Sequence, residues 1–141
     1  MKKSSLALIG LSAGFLAASL LAADTKKAAA PATPPDGAAL YQLNCAVCHN
    51  AAGQGIPGVF PPLAKSDYLM ADKDRAIRAV TKGLAGPIKV NGKDFNGVMP
   101  PVALNDEQVA QVLTYVRNEW GNSGDIVTVD EVRKVRAESA H

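Results

Sequence analysis

The chain has two cysteines, three positions apart, and a histidine directly after the second: Cys45-Ala46-Val47-Cys48-His49. Three chemistries use such a block. A redox dithiol of the thioredoxin kind wants it at the start of a helix that follows a strand. The residues before Cys45, Gly37 to Asn44, instead carry Leu40 and Tyr41 at helical spacing, and no strand pattern precedes them. A structural zinc site needs four ligands. The chain has two Cys and two His in all, and one of those, His141, is its last residue. The third chemistry is covalent haem attachment, whose signature is C-x-x-C-H. Two thiols at this spacing add across the two vinyl groups on one porphyrin edge. The next residue, His49, is then held below the iron and presents an imidazole nitrogen to it.

Composition agrees with that third reading. At 141 residues there is room for one domain, and only 5% of residues are aromatic. So small a chain with so few large rings has limited means of filling a core. A covalently held macrocycle, one per chain, supplies the missing apolar body and compensates for small size.

The N-terminus carries an export signal. Lys2 and Lys3 give the positive start, Ser5 to Leu21 is apolar apart from three serines, and Ala22-Ala23 offers a small-residue cleavage site. The segment 1–23 thus reads as a secretory signal peptide, with an uncleaved anchor as the alternative. No cysteine follows the apolar run, which excludes lipid attachment to one there. Setting Lys2 and Lys3 aside reduces the 15 Lys and Arg to 13, equal to the 13 Asp and Glu. The exported chain is formally neutral, which gives no support to nucleic-acid binding. Residues 24–35 form an Ala/Pro-rich linker. The folded domain is expected over 36–121, followed by a tail, 122–141.

An electron-transfer haem needs a second axial ligand. His141 is a poor candidate because chain ends fray. Met70 stands just ahead of a probable helix and reads as a core gap-filler. Met99, in F-N-G-V-M-P-P, lies 50 residues after His49. Gly97 and the pair Pro100-Pro101 are expected to hold that backbone out of regular structure, so that Met99 can swing over the second haem face.

With these residues in view the chain resembles a class I c-type cytochrome from Gly37 to Trp120. The family places a Gly eight residues, and an aromatic four residues, before the first haem cysteine; here these are Gly37 and Tyr41. Its last helix corresponds to Asn105 through Trp120, with Asn105 as N-cap, Gln108 completing a capping box, and Gly121 as the stop. Val109, Val112, Leu113, Val116 and Trp120 form the apolar stripe. Val112 and Tyr115 fall where the family contacts its first helix. The resemblance further implies that the carbonyl of Pro61, two before Leu63, accepts from the axial His49, with Pro62 as the alternative one residue on. The implied fold is mostly α: three to four helices around the haem, with a short β-hairpin before the Met loop. A middle helix is expected over Asp72 to Lys82. Asn91-Gly92 between Val90 and Phe95 marks the hairpin turn. A capping box at Thr128 to Glu131, followed by Val129, Val132 and Val135, suggests a short helix in the tail, on the domain or on a partner.

The resemblance implies a periplasmic one-electron carrier rather than an enzyme. Cys45 and Cys48 would bind haem c covalently, and His49 and Met99 would ligate its iron. Family members with the hairpin accompany dehydrogenases or copper nitrite reductases; the partners expected here are redox proteins of that kind or a terminal oxidase. Ala46, Val47, Ile56, Pro57, Val98 and Pro100 should ring the exposed haem edge, with the face carrying Lys73, Arg75 and Arg78 as the other docking choice. The competing readings are a haem enzyme or gas-binding protein with a displaceable Met99, and a thiol oxidoreductase without haem.

Overall fold

The computed structural model describes residues 36–138; the signal and the whole linker predicted above, and His141, lie outside them. In chain order the elements are α1 (Gly37–Asn44), α2 (Ala46–His49), α3 (Asp67–Ala71), α4 (Lys73–Lys82), β1 (Leu84–Val90), β2 (Lys93–Met99), α5 (Asp106–Val116) and α6 (Val129–Glu138). The fold is mostly helical with one antiparallel hairpin, as expected. The additional helices are the short α2 and α3.

Each longer helix starts where its sequence provides an acceptor. Asp36 caps α1 through Ala39 N–H, Asp72 caps α4 through Arg75 N–H, and Asn105 with Gln108 forms a full capping box on α5. The central packing is α1 across α5. Leu40 and Tyr41 from α1 meet a stripe of Val109, Val112, Leu113 and Val116, all buried. The crossing is close because Gly37 has no side chain. A Cβ there would lie 2.6 Å from Tyr115 Cβ and would also strike the Gln111 carbonyl oxygen. Tyr41, Tyr115 and Trp120 fill the rest of the crossing, with ring centroids 4.8–5.9 Å apart.

The last core helix stops earlier than its apolar stripe suggests. It ends at Val116, and Trp120 sits at φ 53, outside helical geometry. Two asparagines account for this. Asn118 Nδ2 donates to the Thr114 carbonyl, and Asn122 Nδ2 donates to the Val116 carbonyl. These are the acceptors that the amides of residues 118 and 120 would need to continue the helix. Trp120 still reaches the core, by a turn rather than by helical spacing.

The hairpin is longer than its turn signal implied. Seven residues pair on each side, from Leu84 with Met99 to Val90 with Lys93. Asn91 and Gly92 both take positive φ, as a two-residue turn of this hand requires. Met99 is therefore the last residue of a strand, and Gly97 lies within it. The expectation that this segment avoids regular structure was wrong. Gly97 pairs with Gly86, so the ladder runs through two residues without side chains, and the prolines act only after Met99.

The tail folds onto the domain. Val132 and Val135 of α6 are fully buried against α4 and α5. Thr128 and Glu131 close the expected cap, and Glu131 also meets Lys73 Nζ at 2.6 Å. The Lys73 hydrogen bond first, and the Thr128 amide second, hold the Glu131 carboxyl down at about 2 against an ordinary 4.5. A depressed carboxylate binds its proton more readily in the unfolded chain. Its contribution is present in full above pH 4.5 and is lost as pH falls towards about 2. Glu131→Gln should therefore lower the melting temperature at pH 7 and converge with wild type near the acid end. Equal differences at both pH values would exclude this linkage.

Candidate functional site

Cys45 closes α1, its amide bonding the Tyr41 carbonyl, and α2 follows as a single turn in which the His49 amide bonds Cys45 O. This brings both thiols and the imidazole of His49 to one wall of a crevice. The loop from Asn50 to Ala64 then folds back under His49. Ile56 and Phe60 bridge, and the Gly53 carbonyl accepts from both Leu63 and Ala64 N–H. The result is the Pro61 carbonyl oxygen 3.0 Å from His49 Nδ1. A carbonyl can only accept, so Nδ1 carries the proton and Nε2 keeps its lone pair. His49 is buried, and burial pushes its imidazole down, partly opposed by the Pro61 bond. The ring is thus neutral near pH 7, the form that binds a metal.

The crevice consists of two adjoining cavities that each enclose about 90 Å³, the first the larger in overall extent. Cys45 lines the larger and Cys48 the smaller, while His49, Pro61 and Met99 line both. The remaining walls are almost wholly apolar: Leu69 from α3, Ala76, Ala79 and Val80 from α4, Leu84 and Ile88 from β1, and Val112, Leu113 and Val116 from α5. Ser66 and Tyr68 are the polar exceptions. Sites that hold a cofactor have this character: apolar walls with a few placed polar groups. The donors suit haem, with two free thiols, a neutral imidazole and a thioether at one apolar slot.

The same observations weigh against the other chemistries. A reactive dithiol needs a lowered thiol pKa. Burial, and then Cys48, push the Cys45 thiol up to about 11. Among the described residues no cluster of three or more His, Cys, Asp or Glu could hold a zinc ion. Met70 does not line the crevice; it packs against the core, and its Cε lies where a side chain at Gly124 would go.

Most of the expected edge residues are exposed. Val47 is 82% and Val98 74% exposed; Ile56, Pro57 and Pro100 also face solvent, while Ala46 is half-buried. Sequence reasoning missed Val59, which is 54% exposed and lines the smaller cavity with Phe60, Val98 and Pro100. Its only signal was an isolated Val in a Gly/Pro-rich loop.

Comparison with known proteins agrees with this geometry. Residues 35–120 match the family Cytochrome c. The chain is 42% identical over 112 residues to cytochrome c-552 of Thermus thermophilus, covering 72% of this chain and 85% of that protein. It is 28% identical over 119 residues to the cytochrome c subunit of a quinone alcohol dehydrogenase of Gluconobacter oxydans, of which it spans 22%. It is 37% identical over 89 residues to a cbb3-type cytochrome c oxidase subunit of Rhizobium leguminosarum, of which it spans 29%. Cys45 and Cys48 fit the attachment motif for covalently bound haem, and the chain belongs to the cytochrome c family of electron-transfer proteins.

Proposed function

We propose that His49 and Met99 are the axial ligands of the haem iron, and that the chain is a periplasmic electron carrier rather than an enzyme. Haem supplies a one-electron couple between ferric and ferrous iron. The observation that carries the reading is the shared crevice, in which His49 and Met99 both line its two halves. Pro61 holds His49 in one tautomer and raises its basicity. The apolar walls keep water out, and the Met99 thioether favours the reduced state. Held by both His49 and Met99, the iron would have no site left for oxygen or peroxide.

The export signal over 1–23 supports a periplasmic location. Among the described residues no helix is long and apolar enough to cross a membrane. The dehydrogenase and oxidase subunits among the relatives support partners of those two classes. Docking would use the apolar rim of Val47, Val59, Val98 and Pro100, since a neutral chain has little net-charge steering. Electron-transfer encounters are small and weak, which suits such a rim. Val47→Lys should slow electron exchange with the partner that co-purifies from periplasm or membrane, roughly tenfold, at unchanged potential and spectrum. Unchanged exchange across ionic strengths would move docking to the face with Lys73, Arg75 and Arg78.

A further inference from the structure

Arg117 is a charged side chain in the wrong place for ordinary solvation. It is 5% exposed, and no carboxylate pairs with it among the described residues. Nη1 donates to the Leu69 carbonyl at 2.8 Å, and Nε is buried with no partner. The chain after α5 closes over it. A Cβ at Gly124 would lie 3.2 Å from Nη2 and 3.3 Å from Arg117 O, so the tail passes in contact with the guanidinium.

A buried, unpaired cation is costly. One feature reduces that cost. The guanidinium is hydrogen-bonded to the Leu69 carbonyl, and that carbonyl, in the last turn of α3, carries partial negative charge. It does not require a full charge; a neutral donor would satisfy the Leu69 carbonyl equally well. Leu69 also connects Arg117 to the crevice: its carbonyl accepts from the guanidinium, and its side chain lines the larger cavity. Val116, the residue before Arg117, lines it too.

We infer that Arg117 is a built-in electrostatic control of the reduction potential. Loss of one electron leaves the haem with one more positive charge. A fixed guanidinium behind an apolar wall repels that charge across a medium that screens it poorly. It therefore favours the reduced state. Arginine suits the task because it stays charged where a buried lysine readily gives up its proton. The buried guanidinium then has a use that its stability cost alone would not explain. Arg117 acts on the couple from behind Leu69 and is not a ligand.

The inference rests on haem occupying the crevice, which the pyridine haemochrome spectrum of each purified holoprotein checks separately. The test is the midpoint potential of Arg117→Met and Arg117→Lys, measured at low and high salt and across pH. Arg117→Met should lower the potential at every pH, Arg117→Lys should return towards wild type as pH falls and the lysine takes up its proton, and the difference should persist in high salt because a buried charge is little screened. Arg78→Met removes a cation with a 44% exposed side chain as a control; its effect should vanish in high salt. If Arg117→Met does not accumulate, Arg117→Gln, which keeps a donor for Leu69, carries the same comparison. Lysine and neutral variants that stay equal at every pH, no shift in the neutral one, or a difference that salt abolishes would overturn the inference. A lowered melting temperature alone, at unchanged potential, would leave Arg117 a purely structural residue and would equally overturn it.

Discussion

Cys45→Ala is expected to yield almost no folded protein, at least tenfold less than wild type. The reason lies in what the crevice would be without its occupant. Its larger half encloses about 90 Å³, walled by residues of α3, α4, β1 and α5. At roughly 24 cal/mol per Å³, leaving both halves, about 90 Å³ each, as void costs about 4 kcal/mol, against a net stability of about 5–15 kcal/mol for a small domain. Filling it with water instead exposes the apolar faces of Leu69, Val80, Val112 and Leu113. The remaining core is the α1–α5 crossing and the α6 seam, small for a domain of this size. Cys48→Ala should behave alike, since each thiol lines one half of the crevice. The measurement is haem staining beside far-ultraviolet circular dichroism of the purified protein. Native-level accumulation of folded, haem-free chain would show that the side chains alone build the fold.

What could be read from sequence were the features written in short, contiguous patterns. Cys45 to His49 is a block of five, the Asn105–Gln108 cap a block of four, and Asn91-Gly92 a block of two. Each acts through bonds between near neighbours, so spacing alone carries it. The features that escaped depend on contacts made across the chain. Whether α5 continues past Val116 is decided by Asn122, whose Nδ2 donates to both the Val116 and Leu63 carbonyls. No helical periodicity encodes that competition. The strand position of Met99 depends on its pairing with Leu84. The short α3 is fixed by side chains from three other segments. Asn91 bonds the Asp67 amide, Asn122 the Ser66 amide, and Arg117 the Leu69 carbonyl. The choice between Pro61 and Pro62 at the His49 carbonyl partner was likewise a matter of loop register. The bridge of Ile56 with Phe60 places the oxygen of Pro61, rather than of Pro62, at His49 Nδ1.

Met99→Ala should leave the haem covalently attached and the fold in place, but change the iron chemistry. Met99 is half-buried at the end of β2, and the hairpin is held by its ladder and turn rather than by this side chain. A fully buried methionine would lose about 2–5 kcal/mol on truncation, and half-buried Met99 should lose less. The larger effect is on the sixth position. A thioether stabilises ferrous iron, so its loss lowers the reduction potential. The space it leaves, beside Val98 and Pro100 at the exposed mouth of the smaller cavity, admits water or carbon monoxide. The ferric protein should lose its sulfur-to-iron charge-transfer absorption, and the ferrous protein should bind carbon monoxide, which the wild type is expected to resist. Met70→Ala is the paired control: Met70 packs against the core away from the crevice, so that variant should lose stability and keep the absorption. If the band survives in Met99→Ala and disappears in Met70→Ala, the assignment is reversed. If both variants keep it, a different group holds the iron.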